Sequence, residues 1–398
     1  RVYLPKNCRL RMDKIVDFQN TEIAFASKSN AELTRARLLF EILKNRQLVN
    51  FSNKLLQWAL ALKLPVEWII KATVFKHFCG GISLDHCAPL VEKLNESGVH
   101  AILDHSVEGQ DSEEQFDQNT LLIQEEIKNA ASNEGVAFAV FKPTSIGRLA
   151  TFELLSKDPT AESPEFDRIK ARYFSIGETA KTLKQRIMID GEESWMQASA
   201  DELALALMER FNQEEVIIYN TLQMYLADSY ERLEAWIERA KSRDFKLGVK
   251  FVRGAYMEKE RAYAKKMGIP SAVCISKDAT DELFDKGVAL AFEYPERVSV
   301  FLGTHNEKST EKAAQLALKT YGTVNHPNVW FGQLQGMSDQ ITYNLSHVGA
   351  SVAKLIPYGP VKEVLPYLVR RAEENTSIAG QTGRELKLLR AEQKRRSS

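Results

Sequence analysis

The stretch 215–252, EVIIYNTLQMYLADSYERLEAWIERAKSRDFKLGVKFV, holds a β-rich run (215–219), an amphipathic helical pattern (229–242) and a second β-rich run (247–252). Strand, helix-period segment and strand in that order predict a parallel βαβ unit. The same alternation repeats on both sides of it. Further β-rich runs stand at 100–104 (HAILD), 136–142 (VAFAVFK), 187–190 (IMID), 298–302 (VSVFL), 329–333 (VWFGQ) and 351–356 (SVAKLI), with amphipathic segments at 199–211 and 308–320. Eight such units suit an α/β chain closed into a (β/α)8 barrel, whose usual size is about 250 residues. An open doubly wound sheet of the dinucleotide-binding type needs Gly-x-Gly-x-x-Gly after its first strand, and none is present. The two longest strand-to-strand intervals carry extra segments at 150–180 and 258–280, with loop turns at Asp158-Pro159-Thr160 and Gly268-Ile269-Pro270.

Ahead of the barrel, residues 13–95 read as mostly helical. Ser29 and Asn30 are cap candidates for a helix running to Asn45, and Gly80-Gly81 with Ser83 mark a turn before a helix at 84–96. The expected division is an N-terminal helical arm (1–98), the barrel (99–383) and a basic C-terminal tail (384–398). The tail reads as a solvated helix end, with a weak dock on an anionic membrane surface as the sharper alternative. Residues 1–11 carry four basic residues and no acid, and read either as the end of a transit sequence or as an extension upstream of a start at Met12. The most apolar segment, Leu55 to Phe75, is interrupted by Gln57, Lys63, Pro65, Glu67 and Lys71, so it predicts a packed helical pair rather than a membrane span.

The chain has 398 residues, with 53 Lys and Arg against 53 Asp and Glu. No cationic excess is available to displace phosphate counterions, which argues against a nucleic-acid partner. Four cysteines make no disulfide scaffold and favour a reducing compartment. His77, Cys79, His86 and Cys87 fit no zinc spacing, and no metal is expected.

Barrel chemistry sits at the C-terminal ends of the strands. Here these ends carry Asp104 and Glu108, Lys142 and Thr144, Asp190 with Glu192 and Glu193, Asn220 and Gln223, Lys250 with Arg253, Gly254 and Tyr256, Thr304 with His305 and Asn306, Gln333 and Gln335, and Tyr358. The helix after the eighth strand adds Arg370, Arg371, Glu374 and Asn375. A purely structural barrel has no need of such a ring, because a buried charge without a partner is costly. Lys142 or Lys250 would serve a Schiff-base aldolase if burial lowered its pKa. Alternatively, Gly254 lets the backbone approach an anionic cofactor whose phosphate meets Arg253, and paired Arg370 and Arg371 clamp a carboxylate.

The stretches LDHSVEG (103–109), FKPT (141–144), MIDGEESWMQ (188–197), YNTLQMY (219–225), KFVRGAYMEKER (250–261), GTHNE (303–307), FGQLQGMSD (331–339) and PYGPVKEVLPYLVRRAEENTS (357–377) resemble, in order, the FAD-dependent proline dehydrogenase family in its monofunctional form. The resemblance implies a distorted (β/α)8 barrel that oxidises L-proline to Δ1-pyrroline-5-carboxylate, with FAD as hydride acceptor and a membrane quinone as the onward electron acceptor. It assigns Asp190 and Lys250 to catalysis, Lys142, Tyr256, Tyr358, Arg370, Arg371 and Glu108 to the substrate, and Gly191, Gln223, Arg253, Gly254, Ala255, Thr304, His305 and Glu374 to FAD. Within these, Glu108 would pair with one arginine and gate the pocket. A separate pyrroline-carboxylate (glutamate semialdehyde) dehydrogenase would finish the conversion to glutamate. The implied setting is bacterial cytoplasm, peripheral to the inner membrane, or the mitochondrial matrix in a eukaryote. Hydroxyproline oxidation and a non-catalytic imino-acid-binding barrel are the alternatives.

Overall fold

The computed structural model describes residues 15–45, 47, 49, 58, 62, 67–105, 111–377 and 381–398, the side chains of 69, 370–377 and 381–382 excepted. Eight parallel strands close in sequence order into one barrel: β1 (Val99–His105), β2 (Val136–Phe141), β3 (Ile187–Ile189), β4 (Ile218–Gln223), β5 (Leu247–Val252), β6 (Val298–Gly303), β7 (Val329–Leu334) and β8 (Val352–Tyr358). Closure is made by β8 lying parallel to β1 over seven residue pairs, from Val99 opposite Val352 to His105 opposite Tyr358. The expected (β/α)8 barrel is therefore the observed one.

Seven strands lie within two residues of their expected positions. The fourth is displaced: the run 215–219 predicted it, and it occupies Ile218–Gln223. Asn212 is the cause. Its buried Oδ1 accepts from the N–H groups of Ile217 and Ile218 (2.9 Å each), and its Nδ2 donates to the carbonyls of Ile218 (2.8 Å) and Lys246 (3.1 Å). A side chain thus takes the ladder's place before Ile218. The strand then continues through Asn220, Thr221 and Gln223, which are polar but satisfied. Asn220 donates to Asp201 (2.8 Å), Thr221 to the Ile189 carbonyl (2.7 Å) and Gln223 to the Glu192 carbonyl (2.6 Å).

Successive strand residues face opposite sides. One row fills the barrel with Ile102, Phe138, Val140, Met188, Tyr219, Phe301, Trp330 and Ala353. Phe138 is its centre, with edge contacts to Tyr219 (5.3 Å), Phe301 (5.4 Å) and Trp330 (5.2 Å). The other row packs outward on the helices, through Val99, Ala101, Leu103, Ile187, Ile189, Val249, Val352 and Ile356 among others. Two residues beyond the inner Ile102, Val140 and Met188 stand Asp104, Lys142 and Asp190. The alternation that packs the barrel floor also aims these charges at its mouth.

A second core is built by the ends of the chain. Helix Asn30–Leu43 opens with a capping box, in which the Ser29 Oγ accepts from Glu32 N (3.2 Å) and Glu32 Oε2 accepts from Ser29 N (2.7 Å). Its Leu33, Ala36, Phe40 and Leu43 are buried with Leu386 and Leu389 of helix Gln381–Ser397. The segment expected as a basic tail is therefore a docked helix. Arg396 donates to the carbonyls of Phe25 (2.8 Å) and Lys28 (2.7 Å), and the wholly buried Glu392 holds both Arg395 and Arg396. Of the expected 55–75 helical pair, residues 55–57, 59–61 and 63–66 lie outside the described residues, and Glu67–Phe78 is helical with a π turn over Lys71–Phe75. Among the described residues no helix is long and apolar enough to cross a membrane.

Candidate active site

Four charges of alternating sign ring the mouth. Asp104 is the penultimate residue of β1, Lys142 follows β2, Asp190 follows β3 and Lys250 stands within β5. Lys250 Nζ donates to Asp190 Oδ1 at 2.5 Å, and Lys142 Nζ lies 3.6 Å from Asp104 Oδ1. All four side chains are largely buried. Burial alone would push the Asp190 carboxyl up, yet Lys250 and then Lys142 hold it below the usual carboxylate value. Burial likewise opposes the Lys142 ammonium, but Asp104 and Asp190 outweigh it and raise Lys142 above its ordinary value.

The loop after β3 is built around Glu192. Its carboxylate accepts from Thr144 Oγ1 (2.7 Å) and Thr144 N (2.9 Å), tying the ends of β2 and β3 together. Burial pushes Glu192 up to about 7. A Cβ on Gly191 would meet the Gln223 side chain at 3.2 Å, so Gly191 and Gln223 are neighbours. Tyr256 precedes helix Met257–Met267, which is moored over this loop. Glu260 accepts from Ser194 N (2.7 Å) and Oγ (2.6 Å), Lys259 reaches Glu193 (2.8 Å), and Trp195 stacks on Tyr263 at 4.0 Å. Burial raises the Tyr256 hydroxyl above its usual value, and Glu192 and Asp190 add to that while Lys142 opposes it.

A second cluster lies at the ends of β5 and β6. Arg253 makes one bond from each guanidinium nitrogen: Nε to Asp281 (2.5 Å), one terminal nitrogen to Thr304 Oγ1 (2.6 Å) and the other to Ser309 Oγ (2.9 Å), with a second N–H left on each terminal nitrogen. Its plane also covers Phe284 at 4.4 Å. Gly254 has φ +138°, and a Cβ there would sit 2.1 Å from the Tyr225 ring. The glycine is therefore required by the Tyr225 ring, which packs on the side where a Cβ would stand, while Gly254 itself is exposed. Ala255 follows, exposed. His305 Nδ1 lies 2.9 Å from Ser338 Oγ. A guanidinium and neighbouring hydroxyls form a donor set suited to a phosphate ester. Among the described residues no group of three potential metal ligands occurs.

Other expected residues fall elsewhere. Tyr358 shares the outward row of β8 with Val352 and Ile356, and its hydroxyl donates to Glu126 on helix Glu113–Ala131. Its side chain does not wall the barrel mouth, where the inward alternation of β8 places Leu355 and Pro357. Glu108 lies outside the described residues. Arg370, Arg371 and Glu374 lie on helix Val361–Ser377, with side chains outside the description. Sequence reading placed Asp104 among the strand-end polar residues without giving it a role, and missed Asp281, Glu126, Ser338 and Glu385. Only Asp104 had a signal, as a strand-end carboxylate.

The family model described as proline dehydrogenase matches residues 87–384. The carbapenem antibiotics biosynthesis protein CarD of Pectobacterium carotovorum subsp. carotovorum is 35% identical over 80% of this chain and 83% of its own length. The mitochondrial proline dehydrogenase 1 of Dictyostelium discoideum is 29% identical over 95% of this chain and 74% of its own. The fold matches proline utilization A from Bdellovibrio bacteriovorus, inactivated by N-propargylglycine, with TM-score 0.68 at 18% identity, over 94% of this chain and only 38% of that one. This chain thus spans well under half of that larger protein. With more than half of its residues matched by the family model, the chain belongs to the proline dehydrogenase family.

Proposed function

We propose that this protein oxidises L-proline to Δ1-pyrroline-5-carboxylate with FAD as its cofactor. The observation that carries the reading is the buried quartet Asp104, Lys142, Asp190 and Lys250 at the barrel mouth, within the stretch matched by the family model. Arg370 and Arg371 bind the substrate carboxylate as a charge-assisted fork. Lys142 and Asp190 flank the pyrrolidine ring, and Tyr256 covers it. Lys250 occupies Asp190 Oδ1, which leaves Oδ2 as the oxygen to accept from the substrate N–H. An ionised Asp190 orients the amine, which sheds its proton before C5 is oxidised. Glu108 pairs with one of the arginines and closes the pocket against water.

FAD supplies the hydride-accepting chemistry when bound. Gly191, Gln223, Lys250, Arg253, Gly254, Ala255, Thr304, His305 and Glu374 would hold it. The Arg253, Thr304 and Ser309 cluster supports this through its suitability for a diphosphate. Electrons leave to a membrane quinone, and the product passes to a separate pyrroline-carboxylate dehydrogenase. In a bacterium the setting is the cytoplasm at the inner membrane, and in a eukaryote the mitochondrial matrix.

Visible spectra before and after anaerobic addition of proline test the reading. The expected result is a yellow protein that proline bleaches, with Arg371→Ala raising KM for proline by about tenfold or more, the scale of a lost charged hydrogen bond. A colourless protein trapped by borohydride with a keto acid would favour the Schiff-base alternative. Unchanged proline kinetics in Arg371→Ala would remove the carboxylate clamp.

A further inference from the structure

Building on the cofactor reading above, we infer that Glu385 and Ser338 form a positioning relay for His305, through which the C-terminal helix sets cofactor affinity. Ser338 precedes helix Asp339–His347 with φ +52° and ψ +43°, a left-handed conformation that a residue with a side chain adopts only when held. Two contacts hold it. Its N–H donates to Glu385 Oε1 at 2.5 Å, and its Oγ meets His305 Nδ1 at 2.9 Å. Ser338 and Glu385 are both buried, at 1% and 4% exposure, so water cannot replace the bond between them. A hydrogen bond at one ring nitrogen fixes the orientation and tautomer of an imidazole.

The loop carrying Ser338 is buttressed from the same side. Buried Lys354 donates to the carbonyl of Met337 (2.5 Å) and to Asp339 Oδ1 (2.8 Å), Lys28 meets Asp339 Oδ2 (3.0 Å), and His77 Nε2 lies 2.9 Å from the Gly336 carbonyl. Lys28, His77 and Glu385 all fall outside the family-matched span 87–384, which contains His305 and Ser338. The family-matched span therefore supplies the histidine together with Ser338, Lys354 and Asp339, and Lys28, His77 and Glu385 add support from beyond it. Glu385 touches no reacting atom in this scheme; it acts only through Ser338.

The test measures FAD affinity and the ring-nitrogen NMR signals of His305 in the full chain, the signals being assigned by their loss in His305→Asn. Glu385→Ala and Ser338→Gly, which tolerates φ +52°, should each weaken FAD binding about 3- to 10-fold, the scale of one lost hydrogen bond. Each should also move the His305 Nδ1 signal, and the double variant should do little more than either single one. Glu385→Gln, which still accepts from Ser338 N–H, should restore most of the affinity. Arg396→Ala, which loosens the same helix elsewhere, should leave affinity and the His305 signal unchanged. The relay is overturned if Glu385→Ala leaves both readouts at parental values, or if Arg396→Ala matches it. Should the parent bind no FAD, the cofactor reading fails, and the His305 signal alone still decides the relay.

Discussion

Replacing Lys250 with Met removes the cation nearest Asp190 while preserving most of the side chain's volume. At 2.5 Å and an effective dielectric of about 20, the Coulomb attraction is about 6–7 kcal/mol. Much of this offsets the desolvation of two charges already out of water. Removing one partner of a buried pair costs about 3–5 kcal/mol. Lys142 remains as a second cation beside Asp190, which sets the expectation at the lower end, about 3 kcal/mol. Asp190 is held below its unfolded value, so its contribution is present above that value and lost as pH falls through the folded one. The Lys250→Met deficit should accordingly be full at pH 7 and close as pH falls below 4. Urea melts of the parent, Lys250→Met, Asp190→Asn and the double variant provide the assay. Asp190→Asn strands Lys250, so each single variant loses stability, and the double variant should lose about 2 kcal/mol less than their sum. Additive losses, or a deficit that persists undiminished in acid, would refute the claim that the pair acts through charge.

Gly254→Ala should destabilise by about 2 kcal/mol or more, since it combines a φ of +138° with a Cβ 2.1 Å from the Tyr225 ring; chemical denaturation measures it. Burial raises Glu126 to about 8, so the native state keeps a proton that the unfolded chain has released between pH 4.5 and 8. Stability should therefore fall with rising pH across that window by as much as about 1.4 kcal/mol per pH unit from this group, and Glu126→Gln should flatten that part of a stability-against-pH curve.

The barrel was legible because its strands are short apolar runs separated by helix-period segments, and that pattern depends only on neighbours in sequence. The charged mouth was legible for the same reason. Asp104, Lys142 and Asp190 each stand two positions beyond an inward apolar residue, so period-2 alternation aims them. Where reading failed, a distant side chain had intervened. Asn212 moved the start of β4 by capturing two N–H groups, and no local signal marks an asparagine for that task. Tyr358 was assigned by resemblance to the pocket wall, although the parity of β8 puts it with Val352 and Ile356 on the outer face. Gly254 was read as a close approach for a ligand, and the sequence carried no sign that the Tyr225 ring packs where its Cβ would stand. Pairings such as Arg253 with Asp281 or Ser338 with Glu385 join positions that only the closed fold brings together.

The order of charges around the mouth also bears on what can enter it. Asp190 faces cations on both sides, Lys142 faces carboxylates of β1 and β3, and β4 between β3 and β5 offers the neutral Thr221 and Gln223. The quartet of two anions and two cations is electrically closed. A ligand with net charge would leave one member of it short of a counter-ion in a buried setting, a cost of several kcal/mol. A zwitterion adds one charge of each sign and keeps the balance. Proline carries that pair at neutral pH. Lys250 and Lys142 hold the Asp190 carboxyl below the usual carboxylate value, which makes it a poor resting place for a proton shed by a bound amine.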